Sequence, residues 1–270
     1  LAHALPAFRM SDEVLARELD GLTRAEMRFE FGKILGEHFT VSDLADDYDA
    51  VFLAPGLWAG RELDVPGAEK AKTIDALRLL CAYRREGRAE VGKKAVIVGG
   101  GSVATDAALA AKGSGAERVS LVCLEGEGAM PALPSELAEL KRLGIEIFHG
   151  WGPRAILTDA RMSFIRCTSV FDDQKRFRPA YDESESMEMD FDNLIWAVGQ
   201  DVEPTLAAYL EKEFAIKIAN RDMNIANFSS VDKMVSFVEQ KRAGDGAARS
   251  TRPGASIPSR SGSAWRPRSA

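Results

Sequence analysis

The chain has 270 residues, of which 46% are hydrophobic and 28% charged, and its formal net charge is −6 at neutral pH. This length accommodates two modest domains with buried cores. The negative charge balance disfavours nucleic acid and membrane surfaces as partners, and no apolar run is long enough to span a bilayer. The N-terminal residues lack the pattern of a signal peptide, so the sequence predicts a cytoplasmic protein.

The three cysteines lie far apart in the sequence, at Cys81, Cys123 and Cys167. No C-x-x-C pair is present, so neither an iron–sulfur cluster nor a zinc site is predicted, and no metal ligands are assigned. Single cysteines within apolar runs are typical of buried thiols in a reducing compartment.

The first third of the chain predicts two helices and one buried strand. Residues 11–22 and 40–46 carry capping residues followed by apolar positions at helical spacing. Residues 48–54 form an apolar run that ends in a turn at Pro55-Gly56, which predicts a buried strand. A second break at residues 63–67 predicts that the chain crosses there into another domain, in which residues 73–85 form a helix.

A glycine-rich loop then joins the apolar run 95–98 to an alanine-rich helix, in the form G-x-G-x-x-A. Gly99 permits the sharp turn, Gly101 lets a pyrophosphate approach the backbone, and Ala104 lets the helix lie close to the sheet. The N–H groups at the helix N-terminus favour a phosphate. The candidate binding residues of this loop are Gly99, Gly100, Gly101, Ser102, Val103 and Ala104.

A second predicted strand, residues 119–124, ends at Glu125, which lies 24 residues after Gly101. An acidic residue at about this distance accepts hydrogen bonds from the adenosine ribose in dinucleotide-binding proteins. Strand, loop, helix, strand and acid in this order predict a dinucleotide site. The alternatives are a glycine-rich connection in another α/β protein and, for Glu125, a solvated loop acid.

The later elements extend the α/β pattern. Residues 135–143 predict a helix and residues 145–148 a third parallel strand. The pattern changes from residue 161 to residue 189: residues 162–170 and 187–191 predict strands with charged turns between them, which suggests an antiparallel meander. Trp151 either borders the nicotinamide or packs a turn. A last buried strand ends at Gly199 and Gln200, and residues 227–270 predict a weakly structured or disordered tail.

Five segments together resemble one known family, the NAD(P)H-dependent, FAD-containing oxidoreductases typified by the glutamate synthase small (beta) subunit. This family lies within the pyridine nucleotide–disulfide reductase-like group. The matching segments are residues 5–10, 48–56, 98–106, 130–132 and 193–200. Each motif is short, but all five occur in the family's order.

The resemblance implies a Rossmann-like NAD(P)-binding domain inserted into a partial FAD-binding domain. Residues 67–190 would form the NAD(P)-binding domain, and residues 1–66 and 191–226 would belong to the FAD-binding domain. The two strand-glycine motifs would place Gly56, Gly199 and Gln200 near the flavin or the domain crossing; simple turn geometry explains these residues equally well. The implied reaction is hydride transfer between NAD(P)H and FAD, with electrons passing to a partner subunit or an iron–sulfur protein.

The sequence departs from the family at both ends of the FAD-binding part. The N-terminal FAD fingerprint is not found, and the only Gly-Asp candidate near the C-terminus, residues 244–246, lacks a preceding apolar strand. These departures leave FAD binding by this chain alone in doubt. The alternative function is a nucleotide-binding module without redox activity of its own, and a further alternative places the FAD fingerprint on a separate chain.

The coenzyme preference follows from the end of the second nucleotide strand. Many family members carry Tyr-Arg-Arg there, whereas this chain has Cys123-Leu124-Glu125. A carboxylate repels the 2′-phosphate of NADP and accepts hydrogen bonds from a free 2′-hydroxyl, so we expect NAD rather than NADP, although Arg118 is near in sequence. No nucleophile–base pair is evident, so no catalytic residue is assigned, as expected where cofactors carry the chemistry.

Overall fold

The computed structural model describes residues 3–24 and 27–214, and all structural statements below concern these residues. They contain the following α-helices: α1 (Asp12–Arg24), α2 (Val41–Asp47), α3 (Ala76–Glu86), α4 (Ser102–Gly113), α5 (Pro134–Arg142) and α6 (Pro204–Phe214). The strands are β1 (Ala59–Gly60), β2 (Thr73–Asp75), β3 (Lys94–Val98), β4 (Arg118–Cys123), β5 (Glu146–His149), β6 (Trp151–Thr158), β7 (Arg161–Phe171), β8 (Phe177–Asp190), β9 (Asn193–Trp196) and β10 (Gln200–Asp201). None of the described helices is long and apolar enough to cross a membrane.

A five-stranded parallel sheet forms the centre of the fold, with strand order β2-β9-β3-β4-β5. Both neighbours of β3 run parallel to it, with Val96 opposite Ser120 of β4 and Leu194 of β9. Parallel strands inside a sheet have both faces covered, which explains the apolar runs of the inner strands β3, β4 and β9. The predicted α/β class is confirmed.

Alternate side chains of β3 enter two different cores. Ala95 and Ile97 pack among residues of α3, α4 and α5 on one face of the sheet. Val96 and Val98 pack on the other face, against Met162 and other residues of an antiparallel layer. The parallel sheet is therefore the middle layer between helices and a second sheet.

That second sheet is the antiparallel meander β6-β7-β8, which confirms the predicted meander. β6 was not predicted from the sequence, because Gly152 and Pro153 are residues that disfavour strands. The ladder between β6 and β7 shifts register between Pro153 and Ala155, which accommodates the proline. β8 is also longer than predicted, since its outer half is not apolar enough to be recognised as a strand.

The predicted domain boundary at residues 190/191 does not coincide with an edge of the parallel sheet. β9 lies between β2 and β3 in the parallel sheet, so a boundary at residues 190/191 cuts through this sheet. Outside the parallel sheet, β1 pairs with β10 in a two-stranded antiparallel ribbon. Arg61 next to this ribbon binds Asp201 through two hydrogen bonds of 2.8 and 2.7 Å. The predicted domain crossing at residues 63–67 stays a prediction, because the described residues up to Leu206 form one compact unit.

The buried strand predicted at residues 48–54 is wrong. This segment has no strand conformation, and its Phe52 side chain is 74% exposed. A strand needs a neighbour that accepts and donates its backbone hydrogen bonds. Within the described residues no strand pairs with this segment, so its apolar side chains stay on the surface.

The predicted helices at residues 11–22 and 40–46 are confirmed as α1 and α2. The predicted helix 73–85 begins later, because its first three residues form β2 and Asp75 then caps α3 by accepting a hydrogen bond from the Arg78 N–H at 3.0 Å. Described residues up to Leu206 form one compact unit, and residues 207–214 of α6 belong to a second. The predicted tail, 227–270, lies outside the described residues.

Candidate functional site

A cavity of about 740 Å³ opens at the carboxyl ends of β3, β4 and β9. Its walls come from the glycine loop, the residues that follow β4 and β9, and β8 of the meander. Ligands of open parallel sheets bind at this edge, and the volume lies within the range of small-molecule and cofactor sites. This cavity is therefore the candidate functional site.

In the glycine loop, Gly99 is packed closely against neighbouring backbone, whereas Gly101 faces open space. A Cβ atom at Gly99 would overlap the carbonyl oxygen of Ala197 at the end of β9, so a side chain is excluded there. The Gly99 N–H donates to the Val122 carbonyl at 2.9 Å, which ties the loop to β4. Nothing lies within 4 Å of a Cβ position built on Gly101, so the backbone there faces open space. This is the space that a pyrophosphate requires.

Helix α4 begins at this open position. The Gly101 carbonyl accepts hydrogen bonds from the N–H groups of Ala104 and Thr105 at 2.9 and 3.2 Å. No side chain of the described residues caps the helix, and Ser102 and Val103 line the cavity. Free N–H groups and the helix dipole make such a terminus an anion site. The residues present therefore fit the diphosphate of a dinucleotide.

Ala104 has the packing role that the sequence predicts. It is fully buried, as are Ala107 and Ala108 on the same helix, within the core between α4 and the parallel sheet. Small side chains let the helix lie close to the strands, which brings its N-terminus to the edge of the cavity.

Glu125 lies directly against the glycine loop, although it is distant in sequence. A Cβ atom at Gly100 would be 2.5 Å from Glu125 Oε2. The Glu125 carbonyl accepts a hydrogen bond from the Gly150 N–H at 2.9 Å, which holds the end of β4 beside the end of β5. The structure thus brings the predicted acid to the predicted loop.

Arg118 does not share this location. It begins β4, whereas Glu125 follows the end of the same strand, roughly 20 Å away at the usual rise per residue. Its guanidinium pairs with Glu146 at 3.1 Å. Arg118 is therefore near Glu125 in sequence but not in the structure.

A different cation, Arg166 of β7, lies near the cavity and was not predicted from the sequence. Its guanidinium carbon lies 5.3 Å from the centre of the Trp151 ring, and its Nη1 donates to the His149 carbonyl at 3.2 Å. Trp151 lines the main cavity, and Arg166 lines an adjoining one together with Glu125. No local motif marks Arg166, because its neighbours come from strands distant in sequence.

The cysteines are unpaired thiols, as predicted. Burial raises the pKa of Cys123 to about 12, and burial also raises the pKa of Cys81 and Cys167. Cys123 Sγ lies 3.7 Å from His149 Nδ1. A thiol with a raised pKa is protonated at neutral pH and reacts poorly, so no nucleophilic role is assigned to Cys123.

Of the residues that the resemblance assigned to the flavin, Gly199 and Gln200 line the cavity beside β9, whereas Gly56 is not among its lining residues. Gly56 lies in the exposed segment, next to Trp58. The described residues form one parallel sheet, together with the ribbon and the meander. They do not form a second sheet edge that would hold FAD, so the described part of the chain does not fit this cofactor.

A buried network of ion pairs lies beside the first turns of α4. Arg9 pairs with Asp106 of α4 at 2.6 Å and with Glu136 of α5 at 2.7 Å. Burial raises the pKa of Asp106 against the opposing effect of Arg9. Burial also acts to raise the pKa of Glu136, but hydrogen bonds from the Leu133 N–H and from Ser102, together with Arg9, outweigh it and lower that pKa. The network links the N-terminal residues to a residue of the glycine loop.

Parallel sheet, glycine loop, helix N-terminus and acid together define an α/β protein of the dinucleotide-binding class. Residues 14–230 match the family of pyridine nucleotide-disulphide oxidoreductases. Because this match covers most of the chain, the chain belongs to that family, which comprises NAD(P)H-dependent flavin oxidoreductases.

Two curated relatives agree with the resemblance drawn from the sequence. The chain is 28% identical over 166 residues to a Cereibacter sphaeroides protein named as a glutamate synthase NADPH small chain, covering 58% of this chain and 40% of the relative. It is 30% identical over 158 residues to the NAD-dependent dihydropyrimidine dehydrogenase subunit PreT homolog of Salmonella typhi, covering 58% of this chain and 38% of the relative. The chain thus spans about two fifths of the length of these relatives.

A solved structure shares the fold. FprA from Mycobacterium tuberculosis in complex with NADPH matches with a TM-score of 0.63 and 18% sequence identity. The match covers 74% of this chain and 61% of that chain. At this identity the likeness concerns the fold alone.

Proposed function

We propose that this chain binds NAD(P)H and is the coenzyme-binding part of a flavin-dependent oxidoreductase. The observation that carries the proposal is the single cavity in which open space at Gly101, the N-terminus of α4 and the Glu125 carboxylate meet. The helix terminus suits the diphosphate, and the carboxylate suits the hydroxyl groups of the adenosine ribose. Family membership supports the same chemistry.

NAD is the coenzyme that we propose in preference to NADP. Glu125 lies against the glycine loop, where its carboxylate accepts hydrogen bonds from a free 2′-hydroxyl and repels a 2′-phosphate. Arg118 is paired at the other end of β4 and does not offset this charge. Relatives of both kinds exist by name, one NADPH-linked and one NAD-dependent, so the choice depends on such local residues.

An electron-accepting subunit or iron–sulfur protein is the partner that we propose. A relative is named as a subunit of an NAD-dependent dehydrogenase, which supports assembly with other chains. The role of this chain in such an assembly is to bind the coenzyme. We assign no step to FAD, because the described residues form no cradle for it.

A second candidate function is a nucleotide-binding module without redox activity of its own. The observation that favours it is the segment 48–56, which in the resembling family belongs to the FAD-binding part but is irregular and exposed in this chain. The same NAD(P)H-binding cavity serves both candidates.

The binding site is tested by titrating the purified full chain with NADH and NADPH and following the coenzyme fluorescence. The valine side chain of Gly101→Val would occupy the space of the diphosphate, so we expect at least a hundredfold loss of NADH affinity. Glu125→Arg should shift the preference towards NADPH by about tenfold, the equivalent of roughly one close charge contact. The matched control Arg118→Ala should bind both coenzymes like the wild type. Unchanged NADH affinity in Gly101→Val would rule out this site.

The two candidates are separated by the visible absorption spectrum of the purified chain before and after denaturation. Released flavin would support the oxidoreductase for this chain itself. A chain that binds NADH but releases no flavin would support the nucleotide-binding module or a flavin held on another chain. Flavin that appears only after co-expression with a partner would single out the latter.

A further inference from the structure

One wall of the cavity comes from the meander rather than from the nucleotide-binding motif. Phe177, Pro179 and Tyr181 of β8 line the same cavity as Gly101 and Glu125. They occupy every second position of the strand, so their side chains point to one face of it. The intervening Arg178 and Ala180 do not line the cavity.

An irregular ladder explains why these side chains reach the cavity. Ser186 of β8 pairs with Ile165 of β7, and the next pair is Asp182 with Arg166, so the ladder skips residues 183–185. Successive side chains of a strand point to opposite faces. Because three residues are unpaired, odd-numbered side chains on the two sides of the skip lie on opposite faces of the paired sheet. Met187 beyond the skip accordingly packs into the core between the two sheets, whereas Tyr181 lines the cavity.

The contacts of Tyr181 show at which end of the cavity the β8 residues lie. A Cβ atom at Gly152 would be 2.5 Å from Tyr181 Cε1 and 3.0 Å from Leu124 Cδ2, so the tyrosine ring lies over Gly152 and close to Leu124. Leu124 immediately precedes Glu125 at the end of β4. Gly199 and Gln200 line the cavity beside β9, on the other side of β3 from β4. The aromatic wall therefore stands on the side of the acid.

The wall offers aromatic surface to a ligand. The Tyr181 side chain is 41% exposed and Phe177 is 67% exposed. Trp151 also lines the cavity, and its ring is held by the guanidinium of Arg166. Flat aromatic surfaces at the edge of a nucleotide cavity suit a purine, because bases stack on aromatic side chains with a free energy of roughly 1–3 kcal/mol per base.

We propose that β8 supplies the adenine subsite of the cavity, with Tyr181 and Phe177 contacting the base of the coenzyme and Trp151 closing the side next to β5. The inference rests on the proposed function, since it requires that the cavity binds NAD(P)H with the adenosine ribose at Glu125. It makes the meander, which lies outside the glycine-loop motif, a determinant of affinity for adenine nucleotides. The nicotinamide half then lies towards Gly199.

The experiment compares two halves of the coenzyme as probes. NADH, ADP-ribose and reduced nicotinamide mononucleotide are titrated into the wild-type chain, Tyr181→Ala, Tyr181→Phe, Phe177→Ala and the control Arg178→Ala. We expect Tyr181→Ala to weaken NADH and ADP-ribose binding about tenfold, and Phe177→Ala to weaken them several-fold. Binding of reduced nicotinamide mononucleotide, which has no adenine, should not change. Tyr181→Phe keeps the ring and Arg178→Ala changes the other face, so both should bind like the wild type.

The outcomes separate this inference from the function on which it rests. Wild-type chain that binds neither NADH nor ADP-ribose overturns the proposed function and the inference together. NADH binding by the wild type that Tyr181→Ala and Phe177→Ala leave unchanged overturns the adenine subsite alone. If Tyr181→Ala weakens all three probes equally, the loss reflects structural damage. The exposed Phe177→Ala then decides: a loss confined to adenine-containing probes supports the subsite, and an equal loss or no loss overturns it.

Discussion

Two segments of this protein share one sequence pattern and adopt different structures. Residues 49–56 and 192–199 each begin with an acid, continue through an apolar run and end in glycine. In the second segment, β9 pairs with β2 and β3, and Ile195 is fully buried. In the first, no described strand is a partner, and Phe52 is largely exposed. An apolar run therefore becomes a buried strand only where neighbouring strands accept its backbone hydrogen bonds.

The largest expected effect comes from placing a charge in each segment. Ile195→Asp buries a carboxylate between α-helices and sheet without a partner, so we expect a loss of more than about 4 kcal/mol in unfolding free energy or no folded protein at all. Phe52→Asp adds a charge to an exposed position and should change stability by less than about 0.5 kcal/mol. Urea unfolding followed by circular dichroism measures both. A loss above about 2 kcal/mol in Phe52→Asp would contradict the exposed placement of the first segment.

A middle-sized effect is expected at Arg9, which joins the N-terminal residues to the sheet unit. Arg9→Gln leaves Asp106 and Glu136 close together without their cation, so we expect a loss of about 2 kcal/mol at pH 7. The exposed pair of Arg24 with Asp20 provides the control, since Arg24→Gln should cost less than about 0.5 kcal/mol. Equal losses of unfolding free energy in the two variants would show that the Arg9 ion pairs stabilise the fold no more than an exposed pair does.

The unfolding free energy lost in Arg9→Gln should depend on pH. The lowered pKa of Glu136 contributes stability above its ordinary value of 4.5 that is lost as the pH falls through its folded-state pKa. The raised pKa of Asp106 has the opposite sign and favours the folded state at acidic pH. Arg9 matters only while the two carboxylates are ionised. The difference between wild type and Arg9→Gln should therefore be largest at pH 7 and shrink on acidification below about pH 4.5.

The smallest effects on stability are expected at two helix-capping residues, one beside the parallel sheet and one in the N-terminal part of the chain. Asp75 caps α3 next to the parallel sheet, and Thr40 caps α2, which buries no residue, by accepting a hydrogen bond from the Asp43 N–H at 3.1 Å. A lost cap costs about 1 kcal/mol where the helix unfolds with the core. Asp75→Ala should show this loss in global unfolding, and Thr40→Ala should show less than about 0.3 kcal/mol because α2 can fray alone. Similar losses would mean that α2 is part of the cooperative unit.

The sequence was sufficient wherever the relevant residues are consecutive. The run from β3 through Gly99 to Ala104, and the acid after β4, follow from local spacing, and the structure brings them together. Features that depend on partners were not predictable in this way. The segment before Gly56 looks like a strand but lacks neighbours, and β6 looks unlike a strand but has them. Arg9 meets Asp106 across 97 residues, and no periodicity encodes that encounter.

Arg166 and Tyr181 illustrate the same limit within the site. Each reaches the cavity region because β7 and β8 fold back over the sheet and the β7–β8 ladder skips three residues. The only local signal is the alternation of Phe177, Pro179 and Tyr181, which marks one face of a strand but not what that face contacts. Sequence spacing thus identifies the phosphate-binding part of a nucleotide cavity more readily than its base-binding wall.

The position of β9 has a consequence for how this protein is made. It is the last strand of the parallel sheet to leave the ribosome, yet it occupies a place between β2 and β3, two strands synthesised roughly a hundred residues earlier. Until it arrives, β3 can pair with β4 and β4 with β5, but β2 has no neighbour in this sheet and one edge of β3 is open. Open edges are sites of wrong pairing between chains. We therefore expect nascent chains that stop before β9 to aggregate more readily than the finished chain.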